Sequence, residues 1–492
     1  MKLNAIFFAS QITITSVSLF LQYKLIYNYC GAEQLGLFSL LMAISGVTKL
    51  AEFGMGAGIV KYISQYKHED NLLKCKKIIE TSVIFVTVVT LVLMLIIYFP
   101  LSHAINEHTP KELLSSAEGL IPYILILLVI TSIYTALQSA IDGMNFIYIR
   151  SIILSIGSVI VTFIVFLQVE KHGLIAVIGA QIAVGIIYVF SYLLFLYLEI
   201  GKLCFLPKNF CKDSFREMLK YNSSFQAIAF ISLVFDPITK ALLSYFGGLA
   251  NVGLYELASK LLSQIKNLIA LPNQVIVPII ARKAKDTEGS NSELYKLNFA
   301  LVLSITAPIY GIFVLSIPAI SEFWIGAYSS MFVTYSIILS AGFFINGLSN
   351  PAYYYSIGRG ELGVNIVTHI IIAIINLVLG GMLGSFFEGV GVVAGWSISL
   401  ATGSLYLILK TQKLNGIKIN DVLSNSDCVR VAIIILFAVA LSCVFPMLPR
   451  ESAVNNLALS VVVGLIIFAA ATKDAKYFKY LLMRIKKRKS CD

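Results

Sequence analysis

Charge is scarce in this chain. Only 13% of its 492 residues are Asp, Glu, Lys or Arg, whereas a soluble domain needs roughly 25% to cover its surface. Water is therefore excluded as the main solvent. Acid is the scarcer sign, with 26 acidic against 37 basic residues and a formal charge of +11. That excess would suit nucleic acid, but the basic residues sit in alternate connections between apolar blocks, the signature of membrane topology. Nucleic acid is not an expected partner. Cysteine is sparse and unpaired: Cys30, Cys75, Cys204, Cys211, Cys428, Cys443 and Cys491 form no CxxC, and the topology below leaves only Cys30 near the outer face. No disulfide framework or zinc site is expected, and Cys204 and Cys211 read as bystanders. Walker A, HExxH and other catalytic patterns are absent, so no cofactor or metal is expected and the chain does not read as an enzyme. Transport would have to draw on an ion gradient, on substrate flux or on a partner. The five histidines are scattered; His369, the one well inside a span, reads as packed rather than as a ligand. No stretch is of low complexity.

What the chain has in abundance is apolar residues, 58% of the total with a mean hydropathy of +0.86. They fall in blocks long enough to cross the hydrocarbon core, which takes about 20 residues. The blocks lie near 4–29, 36–60, 78–100, 117–141, 147–169, 173–198, 222–246, 252–281, 295–318, 329–355, 361–385, 390–410, 429–447 and 452–472. Fourteen helical spans are expected, or twelve if the two short last blocks pair as a re-entrant unit. The opening segment, MKLNAIFFASQITITSVSLFLQYK, lacks a small-residue cleavage site and is followed at once by a second block, so it reads as the first span rather than a signal peptide.

With the amino terminus inside, cytoplasmic segments and the span ends adjoining them hold 29 of the 37 basic residues; Lys111, Lys171 and Arg450 lie outside and five fall deeper within spans. Positive loops stay inside, which places both termini in the cytoplasm. The tail from Lys473, KDAKYFKYLLMRIKKRKS, mixes apolar residues with dense cations. It suits an amphipathic helix on an anionic inner leaflet; a solvated stop-transfer tail fits the same residues.

The chain also repeats itself. An offset of 217 aligns Gly31 with Gly248, Gly36 with Gly253, Leu37 with Leu254 and Gly143 with Gly360; an offset of 218 aligns Gly173 with Gly391. Three junctions in register point to a duplicated six-helix unit. Six is even, so both copies enter from the same side and an axis along the membrane normal relates them. The expected division is an amino-terminal six-helix lobe over 1–200, a cytoplasmic linker over 201–221, a carboxy-terminal six-helix lobe over 222–412, accessory helices over 413–472 and a basic cytoplasmic tail over 473–492. Transporters with such halves usually hold substrate in a central cavity between them.

A charge near the centre of a span costs roughly 2.5–3.5 kcal/mol on insertion scales, so it faces a cavity or a partner. The span charges are Lys24, Lys49, Lys240, Lys260 and Lys266 with Glu52, Asp236 and Glu256. Lys49 and Glu52 are spaced i,i+3; Asp236 and Lys240, and Glu256 and Lys260, are spaced i,i+4, each pair on one helical face. Structural ion pairs are one explanation. The other is a wet cavity with five cations against three anions, which would favour an anion such as phosphate. Asp236 is the strongest candidate for ion or proton coupling, because a poorly hydrated carboxylate can load a proton and Pro237 loosens the helix there; it serves equally to neutralise Lys240. Pro272, Pro278, Pro308 and Pro351 are expected kink sites. Gly54, Gly56 and Gly58 in FGMGAGIV follow no strand and read as helix-packing positions, not a nucleotide loop. Tyr353, Tyr354 and Tyr355 suit either sugar stacking or an interface.

These segments carry a family resemblance. LGLFSLLMAISGVTKLAEFGMGAGIVKYISQY resembles the second-helix region of polysaccharide flippases of the MOP superfamily, and DPITKALLSYFGGLANVGLYELASKLLSQIKNLIALPNQVIVPIIAR resembles the matching region of their second half. GRGELGVNIVTHIIIAIINLVL and VGVVAGWSISL extend the similarity over most of 1–412. The resemblance implies an all-α polytopic fold of the MOP/MATE type: two six-helix bundles around a central cavity plus two extra helices. It implies a Wzx-type flippase that moves undecaprenyl-diphosphate-linked oligosaccharide units, of O-antigen or a similar polysaccharide, across the bacterial inner membrane. The five span lysines would supply the cationic cavity and meet the pyrophosphate. Protons or sodium would be exchanged, membrane lipids would hold the prenyl tail, and a polysaccharide polymerase and chain-length regulator would be partners. A lipid II flippase is the nearest alternative, although that group relies on arginines and every span cation here is lysine. A multidrug exporter fits less well, because no acid lies between Asn4 and Cys30. A membrane glycosyltransferase or polymerase is remoter still: the longest outer loop offers only Glu107 and Glu112 with His103 and His108.

Overall fold

The computed structural model describes residues 2–43, 55–108, 111–206, 209–233, 235–274 and 288–418, and no strand occurs among them. Helix is what lipid demands, because hydrocarbon offers no partner to a bare N–H or C=O. Eleven helices follow in order: α1 (Lys2–Ala43), α2 (Met55–His68), α3 (Leu72–His108), α4 (Lys111–Gly143), α5 (Ile147–Ile200), α6 (Lys212–Leu233), α7 (Phe235–Gly247), α8 (Leu249–Gln274), α9 (Glu288–Ile325), α10 (Ser330–Arg359) and α11 (Gly363–Leu414). Eight described helical segments are long and apolar enough to cross a membrane, and the chain is a multi-pass membrane protein. The expected last two spans and the basic tail lie outside the described residues.

Three of the helices are too long for one crossing. α5 has 54 residues; straight, at 1.5 Å per residue, it would run roughly 80 Å against a core of about 30 Å. It breaks at Gly173, with φ 54 and ψ −135, and doubles back, so that the Tyr188 hydroxyl donates to Leu154 O at 3.2 Å. α11 breaks at Phe387 and Glu388 and returns with Gly395 packed on Gly380. α1 breaks at Gly31, bringing the rings of Tyr23 and Phe38 edge to face at 6.5 Å. These hairpins match the expected junctions of spans 1 and 2, 5 and 6, and 11 and 12.

The chain divides into two compact units, Met1–Gly253 and Leu254–Asp492. In the first, α5 packs along α1 and α4, α2 packs on α3 and α4, α6 packs on α2 and α3, and α7 lies against α1. Gly56 approaches Ser139 of α4 closely, the packing role expected of the glycine-rich stretch. The segment expected as a linker, 201–221, is tied down on α3. Buried Glu80 accepts from Cys204 N at 2.7 Å and from Asn209 Nδ2 at 3.4 Å, Thr81 Oγ1 accepts from Cys211 N at 3.1 Å, and the Phe85 and Phe215 rings meet at 4.6 Å. From Lys212 the chain is already helical, and the Tyr66 hydroxyl donates to the Glu217 carboxylate at 3.0 Å.

In the second unit α10 packs on α9 and α11, and both α9 and α10 run on through their prolines, Pro308 and Pro351. Ser397 of α11 enters the hydrogen-bond ladder of α10: its hydroxyl accepts from Gly342 N at 3.0 Å and donates to Ile338 O at 2.6 Å. Side chains inserted in this way bend helices. A core of Tyr295, Phe299, Ala352, Tyr355, Leu407, Ile408 and Ile417 closes this unit. Tyr355 thus belongs to the core, its hydroxyl bonded to Asn415 Oδ1 at 3.2 Å, while Tyr353 packs against it and meets Tyr354 edge-on at 5.3 Å.

Candidate cationic site in the membrane spans

The repeat seen in the sequence has a physical counterpart. Gly31 and Gly248, 217 residues apart, have φ of 80 and 81, a left-handed conformation that costs an L side chain about 1–2 kcal/mol. Each turns the chain into the next helix. Five residues on, Gly36 and Gly253 lie against each other: a Cβ on Gly36 would strike the Leu249 carbonyl, and one on Gly253 would strike the Ala32 carbonyl. The contact is reciprocal, as for residues that meet across a two-fold axis. Both lie in the first unit, where α1 and the start of α8 cross backbone to backbone.

The same crossing positions Lys240. Its side chain on α7 is 2% exposed; Nζ lies 2.7 Å from Asp236 Oδ2 and donates to Ser39 O of α1 at 3.3 Å. Asp236, one turn earlier, is 50% exposed. The ammonium is thus buried and the carboxylate faces outward. In the second unit the order is reversed. Glu256 of α8 is 2% exposed and Lys260 is 35% exposed, with Nζ 3.1 Å from Oε1. Both i,i+4 spacings form ion pairs, and the buried member changes sign between them.

Lys266, two turns beyond Lys260, is built differently. Among the described residues no carboxylate pairs with it; its Nζ stands 5.9 Å from the centroid of the Phe343 ring. Lys24 is half-buried on α1, next to a polar seam in which Gln22 Nε2 donates to Thr162 Oγ1 at 3.0 Å. Lys49 and Glu52 lie outside the described residues. Of the sequence candidates, Lys240 and Asp236 are brought together, as are Glu256 and Lys260. A buried pair gains little net energy over apolar packing, but removing one partner is costly. Both pairs neutralise their own charge, whereas Lys266 has no carboxylate partner among the described residues.

The sequence matches the family described as polysaccharide biosynthesis protein over residues 2–284. This chain belongs to that family. No curated protein sequence matches it. Among solved structures, it is similar to a lipid II flippase MurJ in an inward closed conformation, with a TM-score of 0.73 at 15% identity over 97% of this chain and 100% of that one. It also resembles an inward-facing multidrug resistance MATE family transporter of the MOP superfamily, with a TM-score of 0.67 at 13% identity over 82% of this chain and 97% of that one. The Vibrio cholerae MATE transporter VcmN in its bent form gives a TM-score of 0.56 at 12% identity over 85% of this chain and 98% of that one. The fold is therefore that of these structures, which are flippases and transporters rather than catalysts.

Sequence reasoning about this polysaccharide biosynthesis protein missed three placements. Glu80 as the anchor of the 201–211 segment, Ser397 in the α10 ladder and the Glu217 bond to Tyr66 join residues far apart in the chain, where no period or spacing signals contact. It also set His369 aside as packed. That ring is half-buried on α11, with Nδ1 2.8 Å from Asn365 O and its centroid 6.3 Å from that of Tyr353.

Proposed function

We propose that this protein is a flippase carrying undecaprenyl-diphosphate-linked oligosaccharide repeat units, of O-antigen or a related surface polysaccharide, from the cytoplasmic to the periplasmic leaflet by alternating access. The observation that carries it is a membrane-embedded lysine, Lys266, without a carboxylate partner among the described residues, in a chain of a polysaccharide biosynthesis family. Such a cation favours an anionic ligand at membrane depth. Lys24, Lys49, Lys240 and Lys260 are the other candidate cations, and Lys240 and Lys260 would exchange their carboxylates for phosphate oxygens during the cycle. The prenyl chain stays in lipid. The protein sits in the bacterial inner membrane with both termini inside, beside a polymerase and a chain-length regulator.

Exchange for protons or sodium drives the cycle, with Asp236 as the coupling group: it is half-exposed while its lysine is buried, so an ion can reach it. Normal transport by Asp236→Asn at every pH and ion gradient would remove that assignment. Export of cationic drugs is disfavoured, since Asp236 and Glu256 are each paired to a lysine. Lipid II is the second reading, favoured by the similarity to MurJ over 97% of the chain.

The test is deletion of the gene in its host. The lipid-linked repeat unit should accumulate on the inner leaflet and surface polysaccharide should disappear, with restoration by wild type and not by Lys49→Ala/Lys266→Ala. Unchanged surface polysaccharide would refute the proposal. Rescue of a strain lacking lipid II translocation, with no effect on surface polysaccharide, would favour the second reading.

A further inference from the structure

Glu80 of α3 is buried, and a buried charge is costly unless it is paired or hydrogen-bonded. Among the described residues no lysine or arginine pairs with it. Its two oxygens are instead committed to a segment more than a hundred positions later, accepting from Cys204 N at 2.7 Å and from Asn209 Nδ2 at 3.4 Å. The Asn209 amide closes the arrangement by donating to Cys204 O at 2.9 Å. Buried Thr81, the next residue of α3, accepts from Cys211 N at 3.1 Å.

The attachment continues into α6. The buried Ser82 hydroxyl donates to Met218 Sδ at 3.4 Å, and the Phe85 and Phe215 rings meet at 4.6 Å. From α2, Tyr66 donates to the Glu217 carboxylate at 3.0 Å and Tyr62 to the Glu217 carbonyl at 3.2 Å. All of these residues belong to the first unit. A hinge between two halves is normally an exposed stretch that few contacts cross. This junction has the opposite character: its bonds fall on buried groups, and one acceptor is ionised, which makes a hydrogen bond roughly twice as strong as a neutral one.

We propose that Glu80 and Thr81 form a lasting clasp that makes the start of α6 part of the first unit's moving body. The hinge of the transport cycle then lies beyond Met218, not in the 201–211 segment that joins the two sequence repeats. Glu80 is a positioning residue, acting through the segment it holds. The transport consequence rests on the flippase function above, whereas the clasp itself does not.

Hydrogen exchange of the full-length protein in lipid nanodiscs tests the clasp directly. The Cys204 and Cys211 amides should exchange about a hundredfold more slowly than those of an exposed segment, and Glu80→Ala should speed the Cys204 amide about tenfold, the size expected of one bond to a charged group. Fast exchange at both amides in wild type would overturn the clasp. The hinge is tested by Thr81→Cys beside the native Cys211, with the other six cysteines changed to serine. Copper phenanthroline in air takes one hydrogen from each thiol to join the sulfurs, with oxygen as the final acceptor. Surface polysaccharide made in the deletion strain by the oxidised protein should stay within about twofold of the reduced form. In a Glu80→Ala background, polysaccharide should fall several-fold and recover on oxidation, as the disulfide replaces the clasp. Should that variant fail to reach the membrane, Glu80→Gln, which keeps an acceptor for Cys204 N, takes its place. Loss of polysaccharide on oxidation that a reductant reverses would show that the segment must leave α3, and would overturn the proposal. So would failure of the disulfide to form, or of oxidation to restore the Glu80 variant. If wild type restores no polysaccharide, the flippase function falls and the exchange rates alone decide the clasp.

Discussion

The two intramembrane ion pairs follow one sequence pattern, an acid four residues before a lysine, and present opposite faces. In the first unit the ammonium of Lys240 is buried and Asp236 is half-exposed; in the second the carboxylate of Glu256 is buried and Lys260 is a third exposed. The i,i+4 spacing guarantees that the partners meet. Which of them is exposed depends on the neighbouring helix. Lys240 is covered because α7 lies against α1 and Ser39 O completes the ammonium's bonding. The exposed member is thus a carboxylate in the first pair and an ammonium in the second.

The sharpest way to break this comparison is to remove the exposed member and leave the buried one alone. Asp236→Ala removes the carboxylate 2.7 Å from the buried Lys240 ammonium, and breaking a buried pair in this way costs about 3–5 kcal/mol. Lys240→Met removes the buried charge and leaves the half-exposed carboxylate, and should cost less than about 1.5 kcal/mol. Thermal melting of the purified protein in detergent should show the first variant far less stable than the second. Equal losses would mean that exposure does not decide which charge matters.

The mirror experiment in the second unit should give a smaller contrast. Lys260→Ala removes the ammonium beside buried Glu256, but a carboxylate that loses its cation can take up a proton and so limit the cost; a loss of about 1–3 kcal/mol is expected. Glu256→Gln keeps the third-exposed lysine and should melt within a few degrees of wild type. The loss in Lys260→Ala should shrink as the pH is lowered, since protonation relieves the acid, whereas the Asp236→Ala loss should not. A pH-independent loss in Lys260→Ala would contradict this account.

Much of this was legible in the sequence because it depends on local pattern. The apolar blocks, the lysine asymmetry and the glycines at Gly31, Gly36, Gly248 and Gly253 follow from what lipid and backbone sterics require of any chain. The sign of the exposed charge was not legible, since it depends on which helix covers Lys240 or Glu256. Nor was the company of Lys266: Phe343 comes from a helix 77 positions later, and no repeat or spacing connects them. The Glu80 anchor was hidden for the same reason, and Glu80 reads in sequence as one more polar residue at a helix start.

Beneath the first pair lies the crossing of Gly36 and Gly253, and it sharpens the comparison by testing the backbone instead of the charge. Gly36→Ala and Gly253→Ala should each cost about 1–3 kcal/mol, the range for overpacking a filled site, and the two losses should be similar because the contact is reciprocal. Gly31→Ala meets no atom within 4 Å and should cost only the left-handed backbone term, about 1–2 kcal/mol. Melting of the three variants would separate crowding from backbone strain. A Gly36→Ala variant as stable as wild type would show that α1 and α8 do not cross this closely.

The smallest effect should come from Ser397, where the second unit uses a side chain to shape a helix as the first uses glycine. Its hydroxyl serves two groups of the α10 ladder, Gly342 N–H and Ile338 O. Those two groups are natural partners four residues apart, so Ser397→Ala frees them to bond each other. The net loss is then about 1 kcal/mol or less, because one pair of hydrogen bonds is replaced by one shorter route. Stability is consequently the wrong readout on its own. Closing the ladder should slow hydrogen exchange at the Gly342 amide even as the protein becomes slightly less stable. Faster exchange together with a large loss of stability would mean that α10 cannot close this bond, and that the packing of α9 and α11 rather than the hydroxyl holds the two groups apart.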